Sequence, residues 1–283
     1  MNRFLLLCLL LPILISSQLL FPRENNEQRI ESSELDDICA RLPPSLWCTS
    51  QSLSKQCGYY DKCSQYLDHN RNKPILITLL YESLCPGCQK FIIEQLHPRV
   101  LKNFAPEFVQ IELVPYGNAK IVNGTIVCQH GKDECSINKF ESCLISALPD
   151  QNKHVPAIHC IEMQLKNRID FDKAVSKCFR TLDIGMDIQT MIQSCLVTRE
   201  GMNLQQKAAI RTDNVLPEKH DHVPWVLFNN ASLGAAQNLL EDIPSLICEW
   251  WSGDKAIPYC EVEKAKANNY WDDRQCEKTL TFH

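Results

Sequence analysis

Long apolar runs are scarce in this sequence, and so are the charge clusters that would tie it to a polyanion. The apolar stretch Phe4–Ile15 covers about twelve residues, whereas a helix needs roughly twenty to span a bilayer. No later stretch is longer, so no membrane span is expected. Lys and Arg number 29 against 34 Asp and Glu, a net charge of −5, and they are scattered. Without a basic patch, nucleic acid and anionic membrane surfaces are excluded as partners. A second C-x₂-C is missing too. Among 16 cysteines only Cys85 and Cys88 have that spacing, which removes the zinc-ribbon reading. His154 and His159 in HVPAIH remain as a metal-type pair, but no His-rich context surrounds them, and no metal or other cofactor is expected.

Cysteine itself is abundant. Sixteen are far too many for a reducing cytosol, so the chain reads as a secretory-pathway protein with many structural disulfides. The N-terminus agrees: Arg3, the apolar run, then Ser16 and Ser17 make a signal peptide over residues 1–17, with Leu19–Phe21 leaving a signal-anchor reading open. Residues 18–36 are polar and charged, a linker or propeptide. Residues 37–69 hold Cys39, Cys48, Cys57 and Cys63, a module too small to fold without staples. Its C-x₈-C ending in Trp-Cys, then C-x₅-C, resembles the saposin A-type segment of lysosomal and secreted precursors; a plain disulfide knob is the alternative. With 45% hydrophobic residues, the rest can bury one sizeable core.

That core is organised around Ile75–Arg99. A β-leaning run, Ile75–Tyr81, leads through a short loop to Cys85-Pro86-Gly87-Cys88. Beyond it Phe91, Ile92, Leu96 and Val100 recur at helical spacing. A strand followed by C-x-x-C at the first turn of a helix makes a reactive dithiol. The unpaired N–H groups of the helix start favour a thiolate, and Pro86 suits the first helical position. Cys85 is then the attacking thiolate and Cys88 the more buried thiol that resolves the mixed disulfide. The competing readings are half a metal site or an inert disulfide.

The surrounding sequence fits an α/β (α+β) fold, a thioredoxin-like core over residues 72–262. Glu107–Pro115 reads as a second strand parallel to the first. Val223-Pro224-Trp225 places a proline before a β-rich run, the position of a cis-proline facing the dithiol, since a cis X-Pro bond costs only about 0.5–1 kcal/mol. Asn229-Asn230 is a turn signal, and Ala236–Trp251 reads as a closing helix that Pro244 starts or kinks. The insertion at about 128–217 is too long for a loop. Helices are expected at Asn138–Leu148, Phe171–Leu182, Met186–Val197 and Met202–Ile210, stapled through Cys128, Cys135, Cys143, Cys160, Cys178 and Cys195. Residues 263–283 form a tail.

Within the insertion, Cys128-Gln129-His130-Gly131-Lys132-Asp133-Glu134-Cys135, then Asn138 and Cys143, resembles the signature C-Q-H-G-x₂-E-C-x₂-N-x₄-C of the gamma-interferon-inducible lysosomal thiol reductases. Val114–Ala119, Gln206–Asp213 and Val223–Val226 resemble further family segments, and Cys248 with Cys260 resembles its closing pair. The resemblance implies that Cys85 and Cys88 are the redox pair of a soluble, glycosylated enzyme. Such an enzyme reduces protein disulfides in endosomes and lysosomes, with roles in antigen processing or host defence. Its partners would be disulfide-bonded proteins and a small-thiol or protein electron donor.

Acid operation demands a low thiol pKa: an ordinary thiol is only roughly 0.03% ionised at about pH 5. Cys85 should therefore be depressed, mainly by the helix terminus, with Glu82 opposing if it points inward. His130 reads first as a packing or turn residue, and second as a proton carrier near the dithiol. Asn123 and Asn230 are glycosylation sequons, with Asn123 the better site. Setting aside Cys8, the redox pair and the N-terminal four leaves an odd number of cysteines, so Cys276 is the candidate for a disulfide-linked homodimer. A secretory oxidase or isomerase, or a non-enzymatic disulfide-rich binding protein, are the alternative functions.

Overall fold

The computed structural model describes Cys39 and residues 51–266. Of these, Cys39 and residues 51–257 belong to one compact unit, and residues 258–266, which are helical, belong to a second. The expected signal peptide, linker and most of the tail, with Cys48 and Cys276, lie outside the described residues.

Two short helices, α1 (Gln51–Gln56) and α2 (Tyr60–Asn70), precede the core, and Cys39 is bonded to Cys57. The central strand β1 (Ile75–Tyr81) is almost wholly buried. An apolar run sealed on both faces needs strands on both sides. Strand β2 (Val109–Pro115) pairs with β1 in parallel, from Ile75 opposite Val109 to Tyr81 opposite Pro115. On the other side lies β6 (Trp225–Phe228), antiparallel. With β5 (Leu216–Pro217) and β7 (Ala231–Ser232), the mixed five-stranded order is β2-β1-β6-β7-β5. A separate hairpin, β3 (Lys120–Val122) and β4 (Thr125–Val127), follows β2.

The crossover from β1 to β2 is a helix in two parts. α3 (Pro86–Phe91) runs into a π-helical stretch, Ile92–Leu101, that contains Pro98. Proline has no N–H to donate and crowds the carbonyl four residues back; the wider turn accommodates it, and Lys102 N–H reaches His97 O, five residues back, at 3.3 Å. Ile92, Leu96 and Val100 are fully buried, closing one face of the sheet.

The insertion folds as five helices: α4 (Lys132–Ala147), α5 (Gln151–Lys166), α6 (Phe171–Thr181), α7 (Met186–Val197) and α8 (Arg199–Asp213). Helix α5 is a correction, because its sequence reads as a short apolar segment around HVPAIH. It carries Pro156 in its interior, the residue that hides a helix from pattern reading. Asp150 caps its start by accepting the Asn152 N–H at 2.9 Å. Cys160–Cys178 ties α5 to α6, and Cys143–Cys195 ties α4 to α7. The closing helix is also corrected: it is broken into α9 (Gly234–Gln237), a 3₁₀ turn at Leu240–Asp242, and α10 (Ile243–Trp250), in whose first turn Pro244 lies.

A polar strut locks the insertion to the sheet. Arg211 on α8 donates to Glu112 on β2 at 2.8 Å and to Asn230 Oδ1 at 2.7 Å, and Thr78 on β1 donates to Glu112 at 2.6 Å. Against the burial that would raise it, the Arg211 and Thr78 hydrogen bonds hold the Glu112 carboxyl below its ordinary range.

Candidate active site

β1 delivers the chain to the loop Glu82-Ser83-Leu84. Cys85 is the N-cap of α3 and Pro86 occupies the first turn, where its missing N–H has no partner to lose. The Cys85 sulfur accepts the Cys88 backbone N–H at 3.4 Å and lies 3.8 Å from the Val223 carbonyl oxygen. The Val223–Pro224 peptide is cis. A Cβ on Gly87 would sit 3.3 Å from Pro224 Cδ and 3.9 Å from Cys85 Sγ, so the proline ring and the dithiol approach one another across a residue with no side chain. A second cis bond, Leu216–Pro217, has no counterpart in the sequence reading.

Cys85 and Cys88 are free thiols. Cys85 is 8% exposed and Cys88 is 0%, so Cys85 is the sulfur a substrate can reach. Its thiol is lowered to about 6, first by the hydrogen bond from the Cys88 thiol. Burial opposes the shift; the Cys88 and Gly87 amides and the nearby His130 add to it. The sequence points to the helix terminus as the main cause, whereas in the structure the neighbouring thiol leads and the amides follow. Burial pushes Cys88 far up, and its hydrogen bond to Cys85 pushes it further.

The Cys128–Cys135 disulfide closes a loop that wraps the residues in front of Cys85. Gly131 caps α4 at φ +92°, a left-handed conformation that glycine adopts without strain. Glu134, in the first turn, accepts the His130 backbone N–H at 3.0 Å and bonds His130 Nδ1 at 2.5 Å. His130 Nδ1 is also 3.5 Å from Glu82 Oε2. Glu82 Oε1 accepts the Asn118 backbone N–H at 2.6 Å, and the Asn118 side chain donates to Gln129 at 2.7 Å. Asn138 accepts the Ser83 N–H at 3.0 Å. His130 is therefore more than a packing residue: it joins two buried carboxyls beside the dithiol.

Glu82 is the residue whose part the sequence leaves undefined. It points inward and is 0% exposed, with its carboxyl raised to about 7 by burial, then by Glu134 and Cys85, against the Asn118 N–H and His130. The donor atoms of Glu82, His130 and Glu134 lie within 4.8 Å of one another. Glu134 and His130 already bond each other and one Glu82 oxygen is taken by Asn118, while Glu82 Oε2, 3.5 Å from His130 Nδ1, has no hydrogen-bond partner. Glu141 and Glu162 form a second carboxyl pair, absent from the sequence reading and fully buried, with Tyr81 donating to Glu141 at 2.7 Å. Burial raises both carboxyls, Glu141 to about 7. A glutamate inside an apolar helical stripe, beside Ile137, Phe140 and Leu144, is the signal that could have found it.

The remaining expected residues are more dispersed. Asn123 is exposed at the β3–β4 turn with φ +49°; Asn230 has its side chain engaged by Arg211. Cys63, Cys248 and Cys260 are disulfide-bonded. His154 bonds the Leu148 carbonyl at 2.8 Å, while His159 stacks on His97 at 3.9 Å between centroids. Among the described residues no helix is long and apolar enough to cross a membrane.

Residues 76–182 match the family model described as Gamma interferon inducible lysosomal thiol reductase (GILT). The chain is 34% identical to the gamma-interferon-inducible lysosomal thiol reductase of Carassius auratus over 237 residues, 81% of this chain and 88% of that protein. It is 32% identical to the protein of the same name from Mus musculus, over 66% of this chain and 72% of the relative. The gamma-interferon-responsive lysosomal thiol protein of Arabidopsis thaliana is 31% identical, over 65% and 74%. With its dithiol under a cis-proline and a relative this similar across most of both chains, the protein belongs to the gamma-interferon-inducible lysosomal thiol reductase family.

Proposed function

We propose that this chain reduces disulfide bonds in other proteins through Cys85 and Cys88. The observation that carries the reading is the free thiol pair at the start of α3, beneath the cis Val223–Pro224 peptide, with the more exposed thiol lowered to about 6. Cys85 attacks a substrate disulfide as the thiolate, forming a mixed disulfide; Cys88 then attacks Cys85 and releases the reduced substrate.

The lowered thiol also supports work at acid pH. At about pH 5 roughly a tenth of Cys85 is ionised, against roughly 0.03% of an ordinary thiol. Paired cysteines throughout the insertion support a secretory route, and the relatives' names support a lysosomal destination; endosomal work and a place in antigen processing or defence belong to the same proposal. In the same proposal residues 1–17 are a signal peptide, residues 37–69 a saposin A-type module, and Cys276 the link of a covalent dimer. An external small thiol or protein dithiol resets the enzyme.

One observation favours a second reading. A lowered Cys85 thiol stabilises the reduced pair and so makes the disulfide form more oxidising, which suits isomerisation. The test is insulin-type disulfide reduction from pH 4 to 8 with the wild type, Cys85→Ser and Cys88→Ser, alongside the reduction potential. Reduction lost in Cys85→Ser supports the proposal. A strongly oxidising potential with reshuffling but no net reduction supports the second reading, and activity retained in Cys85→Ser defeats both.

A further inference from the structure

Two buried carboxyls each turn one oxygen to the same imidazole. Glu82 and Glu134 are both 0% exposed. Glu82 Oε1 accepts the Asn118 backbone N–H at 2.6 Å, and Glu134 Oε1 accepts the His130 backbone N–H at 3.0 Å. Their Oε2 atoms lie 3.5 Å and 2.5 Å from His130 Nδ1. A ring nitrogen carries one proton, and the shorter contact gives it to Glu134. Glu82 Oε2 is left buried with no hydrogen-bond partner, an arrangement that costs free energy unless a cation meets it. We propose that Glu82, His130 and Glu134 bind one divalent cation of the zinc class.

The donor set suits that ion. Zinc takes imidazole nitrogen and carboxylate oxygen at about 2.0–2.2 Å. An imidazole ligand favours zinc, cobalt or copper over calcium and magnesium, which prefer oxygen alone. Two carboxylates beside a neutral imidazole carry the negative charge that a dication cancels. The three donor atoms lie within 4.8 Å of one another, and among the described residues no other three His, Cys, Asp or Glu side chains meet so closely. An ion that replaces the Nδ1 proton needs Nδ1 and Glu134 Oε2 to part by less than about an ångström, to the roughly 3 Å between neighbouring ligands at these bond lengths. His130 can supply that movement, because it lies in a turn and its side chain is 35% exposed. The same exposure gives an ion its way in.

The surroundings are already built for ligation. The backbone N–H on each Oε1 is the kind of hydrogen bond that orients a ligating carboxylate. Gly117 lets the turn before Asn118 close on Glu82, since a Cβ there would lie 2.3 Å from Glu82 Cγ. The Cys128–Cys135 disulfide fixes both ends of the segment that carries His130 and Glu134. Three protein ligands leave a further position for water. Cys85 is not one of the three; its backbone N–H donates to the Glu82 carbonyl at 3.3 Å. A bound ion therefore fastens the 128–135 loop to the turn that presents the dithiol, with neither sulfur as a ligand. The site goes beyond the reductase reading and does not depend on it.

The test uses the metal-free full chain carrying Cys85→Ser and Cys88→Ser, which removes the dithiol as a competing chelator. It is titrated with Co²⁺ at neutral pH by calorimetry and visible absorption. One Co²⁺ should bind with a Kd tighter than about 10 µM, giving visible d–d bands without the near-ultraviolet sulfur-to-cobalt band, and Zn²⁺ should displace it. In the same background Glu82→Gln, His130→Ala and Glu134→Gln should each weaken binding at least about 10-fold. Glu141→Gln, a buried carboxyl outside the trio, should leave it unchanged. Binding weaker than about 10 µM in the double serine chain overturns the proposal, as does a His130→Ala protein that binds like its parent. Cobalt held only by the wild type, with the sulfur band, places the metal on the dithiol and also overturns it. If either glutamate variant does not fold, His130→Ala decides alone. If the double serine chain does not fold, the wild type with its Cys85–Cys88 disulfide formed takes its place.

Discussion

The side-chain carbonyl of Asn138, on the second turn of α4, accepts the backbone N–H of Ser83, two residues before Cys85, at 3.0 Å. Gln89 donates to the Ser83 carbonyl at 3.0 Å, and Gln205 on α8 donates to the Asn138 backbone carbonyl at 3.1 Å. The loop that aims Cys85 therefore has the Ser83 backbone satisfied by two other elements, α4 and α3, with α8 bracing the first of them. Replacing Asn138 by Ala orphans a buried N–H, at a cost of about 1–3 kcal/mol. The expected outcome is a fall of that size in unfolding free energy by urea titration, with disulfide reduction reduced more than Cys85 alkylation. Unchanged stability would show that the loop holds itself.

Cys88 governs the acidity of Cys85. Since its thiol is the largest cause of the lowered Cys85 value of about 6, ahead of the helix amides, Cys88→Ala should move the alkylation midpoint of Cys85 upward by about one pH unit or more. Cys88→Ser, which keeps a hydrogen-bond donor, should move it less. Iodoacetamide rates against pH provide the measurement, and a midpoint unchanged in Cys88→Ala would return the credit to the helix start.

The two sequons differ in what their side chains already do. Asn123 is exposed at a hairpin turn and makes no side-chain hydrogen bond among those described, whereas Asn230 accepts from Arg211 at 2.7 Å in the strut that also holds Glu112. Glycopeptide mapping of the chain expressed through a secretory pathway should find a glycan on Asn123 and none on Asn230. Occupied Asn230 would mean that the strut forms only after modification or gives way to it.

Local physics made the front of the site legible. The strand Ile75–Tyr81, the dithiol at a helix start and the proline ahead of Trp225 each announce themselves within a few residues. The same locality hid the rest. Pro156 disguised α5, and Pro98 is absorbed by a π-helical turn that no periodicity predicts. The broken end around Leu240–Asp242 is announced only by Pro244 in the first turn of α10, and nothing local marks the stop after Gln237. Glu82, Glu141 and Glu162 acquire meaning only from partners far along the chain, as Tyr81 does from Glu141 at a separation of 60 residues. A buried carboxyl reads like any other glutamate until its neighbours are known.

Buried titratable groups set opposing pH limits on stability. Glu82 and Glu141 are raised to about 7 and Glu162 well above its ordinary value, burial being the first cause in each. The folded state thus binds protons that the unfolded chain, with carboxyls near 4.5, releases. Stability from these groups is present at acid pH and lost as pH rises through about 7. The histidines act oppositely. Burial lowers His97 to about 4, with its stacked neighbour His159 adding to the effect, and also lowers His154, His159 and His220. Below about 6.5 the unfolded chain takes up protons that these imidazoles refuse when folded, so stability falls as pH drops further. Glu112, held low by Arg211 and Thr78, adds to that loss only below about 4.5. The melting temperature should therefore peak near pH 6, several degrees above its value at pH 8, because each tenfold difference in proton affinity between folded and unfolded chain is worth about 1.4 kcal/mol. His97→Gln should flatten the acid limb and leave the alkaline limb in place. Glu141→Gln, which keeps an acceptor for the Tyr81 hydroxyl, should flatten the alkaline limb. A melting temperature that climbs steadily from pH 5 to 8 would mean that the three carboxyls are ionised in the folded protein.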